Sequence, residues 1–201
     1  MEPSLLVSLV KIFPPIQFKQ SYGLTELSIL QTKSKANDST WFSIHSNIET
    51  KIIEGRLWIR NDSPMLGYLN SDTNFDSDGW YDTGDRVIQE GEFIKVLGRE
   101  SELINVGGEK VFPSEIESVI LELPEVSDAT ISGRVNAVMG NIVMALVKPR
   151  EGSDKEGLVK KIRAHCIKRL DASFKVPAVI TLSDDDHHSE RFKKMRVNID
   201  A

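Results

Sequence analysis

Four residues in one short run near the start of the chain could together handle a nucleotide: Tyr22, Gly23, Thr25 and Glu26. The tyrosine offers a flat ring for stacking on a base, and the glycine permits close approach of a ligand to the backbone. The threonine hydroxyl can bond a phosphate oxygen, and the glutamate carboxylate suits Mg²⁺. Taken alone, the run could also be any turn that precedes a helix.

A second run, Asp-Gly-Trp-Tyr-Asp-Thr-Gly-Asp, occupies residues 78–85 and ends at Asp85. An ionised aspartate only accepts hydrogen bonds, so after a tight Thr-Gly turn it is suited to hold the two hydroxyls of a ribose. The alternative is a pair of loop turns in which aspartate and glycine serve the backbone alone, and the run by itself favours that alternative.

A third run covers residues 98–117, with Gly-Arg at its start, Gly-Gly in its middle and Pro-Ser-Glu-Ile-Glu at its end. In this order and at these separations, the three runs resemble the successive signatures of adenylate-forming enzymes. That superfamily contains the acyl-CoA synthetases, the luciferases and the adenylation domains of peptide synthetases. The resemblance covers the chain from about residue 21 to residue 196, and its third run is the most specific.

The resemblance implies a role for each residue of the first run. Tyr22 and Gly23 would line the adenine of ATP or AMP. Thr25 would contact the α-phosphate and take part in catalysis, and Glu26 would bind the magnesium ion.

For the later runs, the resemblance implies that Asp85 and Arg99 hold the ribose. The loop at Gly107 and Gly108 would face the tunnel that admits the pantetheine arm of coenzyme A. Paired glycines permit such close approach, although a glycine turn ahead of a helix would explain them nearly as well.

A fourth run, at residues 189–196, contains Lys193 and Arg196. In the family, a Gly-Lys-x-x-Arg element carries the lysine that bridges the substrate carboxylate and the α-phosphate, and these two residues match it. Phe192 stands where glycine is usual, and the neighbouring Lys194 leaves open a register that is shifted by one residue. The alternative is a basic tail near the end of the chain.

The resemblance also divides the chain. Residues 1–99 would be the C-terminal portion of the large nucleotide- and acyl-binding domain, and residues 100–201 would be the mobile C-terminal domain, with a hinge at Glu100 and Ser101. The Ser/Thr/Gly-rich loop that cradles the β- and γ-phosphates in the family is absent from these 201 residues. We therefore expect this chain to be the C-terminal part of a larger ligase and to be inactive by itself.

Hydrophobic patterns predict the elements that position these residues. Alternation over residues 54–60 favours a strand, and apolar residues on both sides of residues 90–91 favour a hairpin. Capping boxes that begin at Ser114 and Ser153 favour two amphipathic helices. Further strands are predicted at residues 129–131, 142–147 and 176–182. The expected fold is mixed α+β: the β-rich end of a large domain, with a distorted barrel, followed by a small domain whose short sheet is flanked by helices.

Composition excludes several classes of function. A formal net charge of −5 argues against a nucleic-acid binder, which needs a basic surface. The apolar stretch at the start of the chain is too short to span a membrane, so we interpret it as core. The single cysteine, Cys166, excludes an internal disulfide and fits a reducing compartment, most simply the cytoplasm.

The resemblance implies an AMP-forming acid–thiol ligase that uses ATP, Mg²⁺ and coenzyme A, and we expect an acyl-CoA synthetase that acts on a fatty acid. One alternative is a ligase that loads the phosphopantetheine of an acyl carrier protein. Another is a non-catalytic interaction module that keeps the fold. Retention of Glu26, Asp85, Arg99 and Lys193 argues against the module, because a scaffold does not need all four.

Overall fold

The structure is a computed structural model that describes residues 3–62, 64–70, 74–185, 187 and 194. The chain divides into two compact units, residues 1–101 and residues 102–201. We number the α-helices and β-strands of the described residues in chain order: α1 Pro3–Ile12, β1 Tyr22–Leu24, β2 Ser28–Leu30, β3 Thr32–Ser34, β4 Phe42–Ile44, β5 Glu49–Ile53, β6 Arg56–Arg60, β7 Tyr81–Glu90, β8 Phe93–Arg99, β9 Ile104–Val106, β10 Glu109–Val111, α2 Pro113–Ile120, β11 Val126–Asn136, β12 Gly140–Pro149, α3 Leu158–Arg169 and β13 Val179–Leu182.

The first unit is built on a six-stranded antiparallel sheet with the strand order β3-β4-β8-β7-β6-β5, accompanied by the small β1–β2 hairpin. Apolar side chains from one face of this sheet and from the hairpin region form its core: Leu27, Leu30, Phe42, Leu57, Ile59, Tyr81, Val87 and Ile94.

Two of the predicted β elements in this unit are confirmed. Leu57 and Ile59 are fully buried, and the residues that alternate with them on β6 are only partly buried, as the alternation predicts. Strands β7 and β8 form the predicted hairpin, in which Gly91 adopts a φ of +61° at the turn. Glycine suits that position because other residues rarely adopt positive φ.

The second unit contains a five-stranded sheet with the order β10-β9-β12-β11, and β13 pairs in parallel with β12. Helices α2 and α3 contribute to its core, which consists mainly of β-branched and leucine side chains: Ile104, Val106, Val111, Ile116, Ile120, Leu123, Val126, Ala129, Ile131, Val143, Ala145, Val147, Leu158, Ile162 and Cys166. The expected mixed α+β class, with a short sheet flanked by helices, is therefore confirmed.

Both predicted capping boxes are wrong, although both helices exist. Helix α2 begins at Pro113 with Phe112 as its N-cap, so Ser114 lies inside the helix. Helix α3 begins after Gly157, whose φ of +79° is left-handed, and no side chain caps its first turn. The glutamate that should complete the first box, Glu117, instead points into the core, where it accepts a hydrogen bond from the backbone of Ile131.

The apolar stretch at the start of the chain forms α1, but it is less buried than its composition predicts. Leu6 is fully buried, whereas Leu5 and Ile12 are 52% and 65% exposed. None of the described helices is long and apolar enough to cross a membrane.

Candidate functional site

Three of the residues predicted to bind the nucleotide meet within the first unit. Asp85 on β7 lies directly opposite Arg99 on β8, and the Arg99 Nε atom is 3.6 Å from the Asp85 Oδ1 atom. The Tyr22 hydroxyl donates a 2.5 Å hydrogen bond to the other carboxylate oxygen, Oδ2. Asp85 is only 6% exposed, while the Arg99 side chain is 58% exposed. The carboxylate is thus fixed from two sides, and the guanidinium can still be reached by a ligand.

The ring of Tyr22 is also fixed. It stacks on Phe42, with ring centroids 5.7 Å apart and an interplanar angle of 24°. Burial, and next the negative charge of Asp85, raise the pKa of the Tyr22 phenol well above its usual range, so the hydroxyl stays protonated as a donor. The predicted stacking partner of the adenine is therefore already stacked on one face and bonded at its hydroxyl.

The backbone before Asp85 forms a bulge within β7, where the sequence had predicted a tight turn. Trp58 pairs with Asp82 and Arg56 pairs with Arg86, so β7 advances four residues while β6 advances two. Such a bulge re-aims the side chains beside it. Gly84 accommodates it with a φ of +68°.

A buried threonine in this bulge holds Asp85 in place. The Thr83 hydroxyl donates to the Leu57 carbonyl at 2.7 Å and accepts from the Asp85 amide at 3.1 Å. A cavity of about 730 Å³ opens beside this corner, and its lining includes Thr83, Gly84 and Arg99. The site at Asp85 therefore combines a fixed carboxylate with an adjacent cavity.

The predicted magnesium ligand, Glu26, is buried among hydroxyl groups. The Thr25 hydroxyl donates to its Oε2 atom at 2.9 Å, and the Tyr68 hydroxyl donates to its Oε1 atom. Burial opposes ionisation of Glu26, but hydrogen bonds led by that of Tyr68 outweigh burial and lower its pKa. Sequence reasoning missed Tyr68 and Tyr81 as partners of Glu26, because no local pattern connects them to it.

The chemistry of Glu26 fits a magnesium ion that is shared with a nucleotide. Its carboxylate is ionised, as a ligand of this ion must be. Among the described residues, no group of three or more acidic, histidine or cysteine side chains could hold a metal by itself. Mg²⁺ is usually bound by one or two carboxylates together with substrate phosphates, so a single carboxylate suffices.

The glycines of the predicted site have structural reasons for being glycine. A Cβ atom on Gly23 would lie 2.9 Å from the Ile29 Cα atom, within the β1–β2 hairpin. Gly107 and Gly108 form the turn between β9 and β10, with φ values of +62° and +91°. A Cβ on Gly107 would also approach the Met139 Cε atom to 2.9 Å. Turn geometry accounts for Gly107 and Gly108, and the close approach of Ile29 accounts for Gly23, whether or not a ligand approaches them.

The predicted hinge residues lie at the end of the first unit, in a short 3-10 turn from Glu100 to Glu102. Arg86 binds the Glu100 carboxylate with two nitrogens, one of which, Nη2, is 3.2 Å from Oε1. The remaining predicted residues, Lys193 and Arg196, lie outside the described residues.

Comparison with known proteins identifies a family for this chain. Residues 115–193 match the family of the AMP-binding enzyme C-terminal domain. The chain is 31% identical to 4-coumarate–CoA ligase-like 9 of Oryza sativa subsp. japonica, over 92% of this chain and 37% of the relative. It is 37% identical to 2-succinylbenzoate–CoA ligase of Listeria innocua, over 83% of this chain and 37% of that relative.

A solved structure shares the fold of nearly the whole chain. An anthranilate CoA ligase in complex with anthranoyl-AMP superposes with a TM-score of 0.82 over 96% of this chain and 41% of that one, at 18% identity. The chain spans 37% of the length of each of the two curated relatives. It belongs to the family of adenylate-forming CoA ligases and corresponds to the C-terminal part of its members.

Proposed function

We propose that this chain is the C-terminal portion of an ATP-dependent, AMP-forming acid–CoA ligase. The observation that carries the proposal is the contact of Tyr22 and Arg99 with the buried carboxylate of Asp85, found in a chain of this family. A carboxylate fixed in this way accepts hydrogen bonds from a vicinal diol, so Asp85 and Arg99 hold the ribose of ATP and of the acyl adenylate.

In this proposal, Glu26 and Thr25 serve the phosphates. Glu26 would hold the magnesium ion, which supplies positive charge to the phosphate oxygens when bound. Thr25 is exposed and its hydroxyl lies 2.9 Å from the Glu26 carboxylate, so it can bind an α-phosphate oxygen beside that ion. Tyr68 orients Glu26.

The reaction has two steps. First, a carboxylate oxygen of the acid attacks the α-phosphorus, the acyl adenylate forms and pyrophosphate leaves. Lys193 stabilises the negative charge that develops there, and Arg196 helps to bind the nucleotide. Next, the thiol of coenzyme A attacks the acyl carbonyl, and AMP leaves.

Between the two steps, the second unit moves as the mobile C-terminal domain about Glu100 and Ser101. It then brings the Gly107-Gly108 turn to the pantetheine arm. A turn of two glycines offers backbone without side chains to that arm.

For the acid, we place aryl acids ahead of the fatty acids that the sequence suggested. The relatives are named for coumarate and succinylbenzoate, and the solved neighbour holds an anthranoyl adenylate. The same names favour coenzyme A over a carrier protein as the acceptor. Cys166 is the single cysteine of the chain and is buried, which fits the proposed cytoplasmic location.

The test supplies the missing phosphate loop. We would fuse this chain behind the upstream part of the Listeria innocua ligase, which is 37% identical in the shared region, and call the product the fused enzyme. ATP–pyrophosphate exchange is then measured with a panel of aryl and fatty acids. We expect exchange from the fused enzyme and none from the 201-residue chain. A folded fused enzyme that exchanges with no acid of the panel would refute the proposed activity, and exchange by the chain alone would refute its assignment as a dependent portion.

A further inference from the structure

One buried ion cluster in the second unit has no part in the chemistry described so far. The ammonium group of Lys194 lies 2.6 Å from the Ala129 carbonyl oxygen, 3.2 Å from Glu117 Oε2 and 3.5 Å from Asp128 Oδ1. The Lys194 side chain is only 17% exposed. Three acceptors from α2 and β11 thus surround one ammonium group, which has three hydrogens to donate.

The partner of Lys194 on α2 makes this cluster specific. Glu117 is 1% exposed, and its other oxygen, Oε1, accepts a 2.9 Å hydrogen bond from the Ile131 amide. A carboxylate that is buried to this extent is costly unless it is paired and hydrogen-bonded. Lys194 brings a positive charge to within 3.2 Å of this carboxylate, so the contact stabilises both buried groups.

We infer that Lys194 is a positioning residue, whose contacts hold residue 194 against α2 and β11, and that its neighbour Lys193 is the lysine of the reaction. The inference rests on the proposed function, in which a lysine of this run meets the α-phosphate. An ammonium group that is held by three acceptors of its own unit is not available to a phosphate. The contacts of Lys194 therefore favour the register in which Lys193, and not Lys194, is the catalytic lysine.

The cluster is tested directly by amine labelling of the 201-residue chain. A brief pulse of acetic anhydride is followed by chymotryptic digestion and fragment-ion sequencing, which separates the two adjacent lysines. We expect Lys194 to react about tenfold more slowly than the exposed Lys160, because modification must wait for local opening. Equal rates for these two lysines would overturn the inference.

A matched pair of variants tests the named partner. Lys175 is also buried, with a side chain that is 14% exposed and an ammonium group 2.8 Å from both Glu115 and Asp171. Glu117→Gln should speed the labelling of Lys194 severalfold and leave Lys175 unchanged, and Glu115→Gln should do the reverse. If Glu117→Gln leaves Lys194 protected, Glu117 is not its anchor. If this variant fails to fold, the labelling rates of Lys194 and Lys160 in the wild-type chain still test the inference.

The positioning role is tested in the fused enzyme by pyrophosphate exchange. Lys193→Ala should lower the rate of exchange by about 100-fold or more. Lys194→Met should lower kcat about tenfold with the KM for ATP unchanged, and Lys194→Arg should restore most of it. Loss of exchange with Lys194→Met but not with Lys193→Ala would overturn the inference. A wild-type fused enzyme without activity would instead refute the proposed function, while the labelling pattern would still decide the anchor.

Discussion

Replacing Tyr22 with phenylalanine removes a single hydrogen bond and keeps the ring that stacks on Phe42. The lost bond is the 2.5 Å contact between the phenol and the Asp85 carboxylate, which is 6% exposed. Hydrogen bonds to charged groups contribute ~1.5–3 kcal/mol, and a buried carboxylate that loses a donor falls toward the upper end. We therefore expect the free energy of unfolding of the first unit to fall by ~2–3 kcal/mol.

The assay can isolate this unit, because all three tryptophans, Trp41, Trp58 and Trp80, lie within it. Urea unfolding followed by tryptophan fluorescence gives the free energy of the first unit. A double-mutant cycle with Asp85→Asn measures the coupling between hydroxyl and carboxylate. A coupling energy below ~0.5 kcal/mol would refute our account of the contact, since exposed pairs already reach such values.

The same contact predicts a dependence on alkaline pH. Burial and the charge of Asp85 raise the pKa of Tyr22 in the folded state above the ordinary value near 10. The folded state therefore retains this proton when the unfolded state loses it, so stability is complete below pH 10 and declines above it. Each such group contributes a slope of ~1.4 kcal/mol per pH unit, and Tyr22→Phe should remove one such slope. An unchanged slope would contradict the raised pKa.

Three further predictions concern Arg99, the glycine turn and the cysteine. Arg99→Ala should weaken AMP binding to the fused enzyme about tenfold by titration calorimetry, because it removes a charged donor, whereas Arg60→Ala, which removes a partner of an exposed carboxylate, should not. Equal effects would contradict the assignment of Arg99. Gly107→Ala and Gly108→Ala should each destabilise the second unit by ~1–2 kcal/mol in chemical unfolding followed by circular dichroism, because both residues have a left-handed φ. An unchanged stability in both variants would contradict the role of these glycines in the turn. Burial raises the pKa of the Cys166 thiol to about 11, so iodoacetamide at pH 8 should leave it unmodified in the folded chain and alkylate it in urea. Rapid alkylation of the folded chain would show that the thiol is exposed.

Local sequence patterns predicted the strands and helices that bury one face. On β6, the period of two at Leu57 and Ile59 indicated a strand, because burial on one side is a property of consecutive residues. On α2, Ile116 and Ile120 stand at helical spacing, and both are fully buried. In each case, the residues that carry the signal and the residues that use it are neighbours in the sequence.

Sequence patterns did not predict the contacts that a side chain makes with an element far away in the chain. Ser114 and Glu117 have the spacing of a capping box, but the carboxylate of Glu117 binds the amide of Ile131, 14 residues away, and Lys194, 77 residues away. Likewise, the hydroxyl of Tyr68 reaches Glu26 across 42 residues. Periodicity and capping rules describe one turn of helix or one strand, so they cannot anticipate such pairs.

The site formed by Tyr22, Asp85 and Arg99, which we call the nucleotide corner, could be predicted in part from the sequence and in part only from the structure. The resemblance to a family placed Tyr22 and Asp85 in one site, although 63 residues separate them, but it assigned the tyrosine to the base. In the structure, the tyrosine hydroxyl is bonded to the carboxylate that is assigned to the ribose. The family signature thus predicted which residues meet, and only the structure supplied the bond that joins them.

The bond from Tyr22 to Asp85 also bears on how a ribose could bind. An ionised carboxylate has about four acceptor positions, and the phenol uses only one of them on Oδ2. The Arg99 Nε atom is 3.6 Å from Oδ1, which is beyond hydrogen-bond distance, so this contact is an ion pair. Because Thr83 and the bulge hold the backbone and Tyr22 holds the side chain, a ribose need not order this carboxylate on binding. Binding of the ribose therefore avoids the entropic cost of ordering the carboxylate, which would otherwise reduce the affinity. The stabilising role of Tyr22 is thus compatible with its assignment to the nucleotide site.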